Sequence, residues 1–323
     1  MGAPLRVRAD EIGESENDFA RDVIAGLTSR PKWLLPKYFY DAAGARLFDD
    51  ITLLPEYYPT RAELAILREH ATDIARPIPP GAALIEFGSG SSNKARTLLA
   101  AAPAIAAYVP VDISPEMLAQ EADKVRQQFP QLKVLPVEAD FTKPFDLPEA
   151  VAGMSRTGFF PGSTIGNFEP HEASAFLRHA RQILGRGAVL IIGVDLVKDQ
   201  AVLNAAYNDL AGVTAKFNLN LLTRINRELG ANIDLSGFCH RAFYNSERNR
   251  IEMHLASKTR QKVRVAGRMI DFRAGETIHT ENSYKYTLES FGALARGSGW
   301  SPTAVWTDDN RYFSVQALVA QDD

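Results

Sequence analysis

Only one cysteine, Cys239, occurs in the 323 residues. No internal disulfide is possible, and a reducing, cytoplasmic setting is expected. Long apolar runs are missing too: no uninterrupted stretch approaches the roughly 20 residues of a membrane span. Residues 1–14 are polar and mixed in charge, unlike a signal peptide. Neither sign of charge dominates. A net charge of −3 leaves no basic footprint for nucleic acid or an anionic membrane. Six histidines are scattered without a second cysteine, and the single Cys239-His240 pair is not a zinc pattern, so no metal is expected. What is present, 46% hydrophobic and 23% charged residues, is ordinary for a globular enzyme with one large or two ordinary domains.

The most informative stretch is Leu84-Ile85-Glu86-Phe87-Gly88-Ser89-Gly90. It reads as a buried strand, then a tight turn where glycines let a ligand approach the backbone. A dinucleotide fingerprint needs a further glycine three residues on. Asn93 stands there, which favours a nucleoside-type cofactor without a pyrophosphate, such as S-adenosylmethionine.

Strand-like and helix-like segments then alternate. Strands are expected at 84–87, 107–111, 132–137, 158–165 and 188–194. Helices are expected at 94–101, 115–129 (capped by Ser114) and 172–184. This alternation means a parallel sheet with helices on both faces, an α/β Rossmann-like fold. It breaks at 199–229, read as one long helix containing Tyr207 and Asn208, followed by strands at 242–245, 250–256 and 262–265. A helix at 287–295 and a hairpin of 303–306 with 312–320 close the sheet. The expected domains are 61–195 with 286–323, and 1–60 with 196–285. The latter is an α+β domain that includes the aromatic cluster Trp33, Tyr38, Phe39, Tyr40, Phe48, Tyr57 and Tyr58.

Ligands of open α/β sheets bind beyond the carboxyl ends of the strands. Gly88 and Gly90 supply close backbone approach there. Asp112 follows Gly88 by 24 residues, near the roughly 20 at which an acid meets ribose hydroxyls. Asp140 suits an adenine amino group, with Phe141 packing on the base. Lys94 suits a carboxylate. Taken singly, Asp112 is equally a helix cap and Asp140 a turn acid; three such groups at successive strand ends favour a site.

Several segments carry a resemblance. Pro36-Lys37-Tyr38-Phe39-Tyr40-Asp41, Leu54-Pro55-Glu56-Tyr57-Tyr58-Pro59-Thr60-Arg61, Gly162-Ser163-Thr164-Ile165-Gly166-Asn167, Asp195-Leu196-Val197-Lys198-Asp199 and Arg250-Ile251-Glu252-Met253-His254 are similar to the L-histidine Nα-methyltransferases of ergothioneine biosynthesis. The resemblance runs from about Asp22 to the C-terminus. It implies a class I methyltransferase fold, S-adenosylmethionine as donor, and three methylations of the histidine α-amine to give hercynine. It places donor contacts on Gly88, Lys94, Asp112, Asp140 and Phe141. Substrate contacts fall on Tyr57, Gly162, Asn167, Tyr207, Met253, Glu281 and Ser283, with Tyr40 near the amine; Tyr40, Tyr57 and Asn167 serve as the catalytic set. The residues between Glu281 and Lys285 depart from the family's usual form, while Glu281 and Ser283 are kept.

The implied chemistry suits these residue types. The amine must be neutral to attack, so alignment and exclusion of water matter most. Asn167 and Tyr207 offer neutral donors to a substrate carboxylate. Glu281 and Ser283, on alternate positions of an extended segment, face the same way and together suit the two imidazole nitrogens. Tyr40 and Tyr57 offer aromatic faces to a trimethylammonium product. Without the resemblance, the N-terminal aromatics read as a small core, Asn167 as a turn residue, Tyr207 and Met253 as packing, and Glu281 as surface. A monomer is expected, with histidine as its small-molecule partner. The competing readings are an enzyme for another, aromatic amino acid and a non-catalytic S-adenosylmethionine-binding module.

Overall fold

The computed structural model describes residues 14–90 and 93–321. Residues 1–13, Ser91, Ser92, Asp322 and Asp323 lie outside that description. Two compact units are formed. One contains Thr52–Tyr207, Tyr244–Ile251 and the chain from Asn282; the other contains the chain up to Ile51, Asn208–Phe243 and Glu252–Glu281. The first unit thus takes residues 52–60, 196–207, 244–251 and 282–285, which the sequence had grouped with the second domain.

The first unit is built on an eight-stranded sheet. Its main path runs Trp300–Thr307, Phe313–Ala320, Val189–Asp195, Arg156–Phe160, Ala83–Phe87, Ala107–Asp112 and Lys133–Val134. All neighbours from Val189–Asp195 onward are parallel, while the last two strands of the chain form an antiparallel hairpin against its edge. The expected strand at 132–137 is split. Lys133–Val134 and Val137–Glu138 pair separately with Ala107–Asp112, because Pro136 between them has no N–H for a ladder.

Both faces of the sheet are covered, so its strands are apolar throughout. Ala83, Ile85 and Phe87 belong to one core with Phe176, Leu177, Phe291 and Trp300. Leu84 belongs to the opposite core with Ile66, Leu98, Leu99 and Val125. This is the period-2 alternation of a strand. Trp300, fully buried, donates its indole N–H to the Leu177 carbonyl at 2.8 Å.

Glu86 is the exception inside this strand. Burial pushes its carboxyl up to about 8, although Tyr108 hydrogen-bonds it. The folded protein therefore keeps a proton that the unfolded chain releases above about 4.5, and stability falls as pH rises from there toward 8. Glu86→Gln should flatten that slope and gain on the order of 3 kcal/mol relative to wild type between pH 4.5 and 7. Melting temperatures across that range test this; parallel curves for the two proteins would refute it.

In the second unit, the expected single helix over 199–229 is two. Gln200–Tyr207 ends within the first unit, and Val213–Leu229 starts the second's long helix. The break has a local cause. The Asp209 carboxylate accepts the Val213 and Thr214 N–H groups at 2.7 and 2.8 Å, starting a new helix after Gly212 at φ +69°. Asn208 therefore lies outside both helices. Phe217 of the second helix stacks on Phe39 at 4.5 Å, with Tyr40 edge-on at 5.9 Å. A small sheet orders Lys32–Trp33, Thr277–Tyr284, Arg250–Ser257 and Phe238–Asn245. Gln261–Val265 and Arg268–Phe272 form a separate antiparallel hairpin. Arg268–Phe272 was not foreseen as a strand, and of Thr277–Tyr284 only the extended segment at 281–283 was.

Candidate active site

Strand order in the large sheet reverses direction between Ala83–Phe87 and Arg156–Phe160, the switch point beyond which such sheets bind ligands. Gly88 and Gly90 follow the first of these strands at φ +71° and +38°, angles that side chains other than glycine's rarely allow. A Cβ on Gly88 would stand 3.1 Å from the Phe141 ring. Phe141 therefore reaches the turn because Gly88 has no side chain. Asp112 ends the adjacent strand, and its carboxylate accepts the Gly90 N–H at 3.1 Å and the Ser114 N–H at 3.0 Å. It thus fixes the glycine turn and the start of helix Pro115–Gln128. The Ser114 hydroxyl itself makes no cap bond, contrary to the expectation for it. Asp140 accepts the Thr142 N–H at 3.1 Å and its hydroxyl at 2.5 Å, fixing the turn that carries Phe141.

Lys94 is held by a residue that the sequence reading missed. Its Nζ lies 2.6 Å from Glu63, a fully buried acid whose two oxygens both accept the Gly162 N–H at 2.9 Å. A Cβ on Gly193 would fall 2.1 Å from Glu63 Oε1, so Gly193 makes room for the acid. Nothing in the pattern of helix Tyr58–Glu69 distinguishes Glu63 from a surface glutamate.

A second cluster lies at the end of the Val189–Asp195 strand. Asp195 is buried, and its carboxylate accepts the Tyr58 hydroxyl at 2.8 and 2.9 Å and Lys285 Nζ at 2.7 Å, and pairs with Lys198. Burial alone would push Asp195 up, but Lys285 and Lys198 hold it below the usual carboxylate range. Lys198 is pushed down to about 8 by burial, against the pull of Asp195. Burial and Asp195 drive the Tyr58 hydroxyl well above its ordinary value. Lys285 Nζ also donates to Ser283 Oγ at 2.7 Å and to Tyr207 OH at 3.2 Å, while Tyr207 donates to Ser283 at 2.8 Å. In this arrangement the Tyr207 proton is directed at Ser283. The Tyr57 ring stands edge-on to Tyr207 at 6.2 Å.

Asn167 ends a 3-10 turn, Thr164–Asn167, and is half-buried. A Cβ on Gly166 would fall 2.7 Å from the Tyr284 carbonyl, so this turn lies against the backbone next to Ser283. Ser163, at φ +54°, accepts the Asp195 N–H on its hydroxyl at 2.9 Å. The first unit therefore brings together Tyr57, Gly162, Asn167, Tyr207 and Ser283 around strand ends that share Asp195 and Glu63. Asp195, a strand-end acid like Asp112, was legible by position; Lys285 and Tyr58 left no such signal.

Tyr40, Met253 and Glu281 lie in the second unit. Tyr40 is half-buried, edge-on to Phe48 at 5.6 Å. Met253 is buried, and its carbonyl accepts the Thr280 hydroxyl at 3.0 Å. Glu281 is half-buried, two positions before Ser283 on one strand. Near it Glu252, His254 and His279 bring possible ligand atoms within 4.8 Å of one another, a grouping that the scattered histidines of the sequence did not suggest. Their geometry is that of a stack. The His254 and His279 rings lie face to face at 4.7 Å, with Phe243 on the other side of His254 at 5.4 Å. His254 Nε2 is hydrogen-bonded to Glu252 at 3.2 Å.

Comparison with known proteins adds to this geometry. A family model described as "Histidine-specific methyltransferase, SAM-dependent" matches residues 19–320. A histidine N-alpha-methyltransferase of Mycobacterium tuberculosis is 42% identical over 95% of this chain and 97% of its own. That of Mycolicibacterium smegmatis is 43% identical over 96% and 97%. The ergothioneine biosynthesis protein 1 of Neurospora crassa is 33% identical over 87% of this chain, which spans 32% of that longer relative.

Proposed function

The chain belongs to the family of histidine-specific, S-adenosylmethionine-dependent methyltransferases, and from that premise we propose that it adds three methyl groups in succession to the α-amine of L-histidine, yielding hercynine. The observation that carries this reading is the match along nearly the whole chain to proteins named for that acceptor. The name of the Neurospora relative supports a place in ergothioneine biosynthesis.

The switch-point residues suit the methyl donor. Gly88 and Gly90 admit its close approach, the Asp112 carboxylate suits a ribose diol, and Phe141 with Asp140 suits the adenine. Lys94, oriented by Glu63, would hold the donor's carboxylate. When bound, S-adenosylmethionine supplies an electrophilic methyl group.

The other roles belong to this chain's side chains. Asn167 offers a neutral amide to the substrate's carboxylate and amine, and Tyr57 holds the amine without a formal charge that would fix it as ammonium. The tyrosine faces stabilise the cation that grows with each methylation, at roughly 0.5–2 kcal/mol each; Tyr40 carries the same role in the family reading. Glu281 and Ser283 select the imidazole, and Met253 limits the size of the ring admitted. A substrate without ring nitrogens would forgo the bonds to Glu281 and to the Ser283 hydroxyl, a cost of roughly 1–3 kcal/mol for each.

Incubation of the protein with S-adenosylmethionine and an equal mixture of amino acids, followed by mass spectrometry, tests the proposal. Histidine alone should gain up to three methyl groups. Methylation of an aromatic amino acid would keep the donor site and overturn the acceptor assignment. Donor binding without any methylation would favour a non-catalytic module.

A further inference from the structure

Lys285 is 1% exposed in its side chain, an uncommon place for an ammonium group. An ammonium has three hydrogens and no acceptor. Here there are three acceptors: Asp195 at 2.7 Å, Ser283 Oγ at 2.7 Å and Tyr207 OH at 3.2 Å. Lys285 is therefore saturated and has no hydrogen left for a substrate.

The consequence falls on the two hydroxyls. Ser283 Oγ accepts from Lys285 and from Tyr207, which uses both its lone pairs. Its own hydrogen is what it has left to offer. Tyr207 gives its hydrogen to Ser283. Lys285 thus fills one lone pair of Ser283 and Tyr207, the more acidic hydroxyl, fills the other, and the order runs from Lys285 through Tyr207 to Ser283.

We propose that Lys285 is a positioning residue which, by fixing this order, makes Ser283 a hydrogen-bond donor only, so that the site takes histidine with a neutral imidazole and an unprotonated ring nitrogen on the Ser283 hydroxyl. An imidazolium, with N–H on both nitrogens, would meet a donor with a donor. The inference rests on the function proposed above and adds the protonation state of the substrate ring.

Hercynine is the probe of choice, because its trimethylammonium carries no proton and only its imidazole titrates between pH 5 and 7. The groups bonded to the pair keep their charge in that window, and His254, lowered from its ordinary value by burial and by His279, is common to wild type and variant. Asp195 lies below the usual carboxylate range, Lys198 is at about 8, and the Tyr58 and Tyr244 hydroxyls are raised above theirs. Glu281, on the same strand, is common to wild type and to the Lys285 variant, so it cancels in their comparison.

Calorimetric titration of hercynine into wild type should show affinity falling about tenfold per pH unit below the imidazole value of about 6.5. In Lys285→Met the hydroxyls are free to reorder. Affinity at pH 7 should drop roughly tenfold, and the pH slope should flatten to roughly threefold or less over the range. S-adenosylmethionine affinity should persist, which certifies the fold. Should that variant fail to fold, Ser283→Ala gives the same readout, again with a flattened slope. A wild-type affinity independent of pH, or a Lys285→Met protein with wild-type affinity and slope, would overturn the inference. If wild type does not methylate histidine, the proposed function itself fails and takes this inference with it.

Discussion

Asp195→Ala is expected to destabilise the protein by about 3–5 kcal/mol, the largest effect of any substitution considered. The side chain is buried, and so are the two cations it serves: Lys198 and Lys285 are 3% and 1% exposed. Without the acid, two ammonium groups would share a buried site and the Tyr58 hydroxyl would lose its acceptor. The penalty is that of an uncompensated buried charge and exceeds the net worth of the pairs themselves. A pH signature accompanies it. Asp195 is held below the usual carboxylate range in the folded state, so its contribution is present above the unfolded value of about 3.9 and is lost as pH falls through the lower, folded one. Urea unfolding at pH 7 and at pH 3 checks both statements. A loss under 1 kcal/mol at neutral pH would mean that the lysines reach water or give up their protons.

Asp112→Ala is expected to weaken S-adenosylmethionine binding roughly 100-fold, about 2.7 kcal/mol, while costing about 1 kcal/mol in stability. The two numbers have different origins. Stability changes because the Gly90 and Ser114 N–H groups lose their acceptor. Binding changes further because the proposed ribose contact goes, and because the Gly88–Gly90 turn is no longer held in shape. Asp112→Asn keeps one acceptor oxygen for one of the two N–H groups and turns its amide NH2 toward the other, so it should recover only part of the stability and little of the affinity. Calorimetric titration of the donor against thermal melts separates the two. Equal donor affinity in wild type and Asp112→Ala would remove Asp112 from the donor site.

These two acids differ in how far the sequence disclosed them. Asp112 was legible because spacing carries it: a strand, a glycine turn, and an acid about 20 residues later at the next strand end. The parallel sheet and closing hairpin were legible for the same kind of reason, since fully apolar runs alternating with amphipathic helices have few other solutions. Asp195 was visible as a strand-end acid, but its partners were not. Lys285, Tyr58 and Lys198 come from a strand end, a helix start and a loop, and no local periodicity links them. Glu63 was invisible because a buried glutamate in an amphipathic helix looks like a surface one until the Gly193 backbone approaches it.

By itself the sequence determined the α/β class, the glycine turn, the strand-end acids and, through long motif segments, the family. Those features are local or lie at fixed spacing, so they survive in one dimension. The tertiary structure alone decided that the helix breaks at Asp209, that Lys94 is paired with Glu63, and that Lys285 is saturated by Asp195, Tyr207 and Ser283. Each depends on desolvation and on groups distant in sequence. Burial makes such pairings obligatory, and only the folded chain determines which groups are buried together.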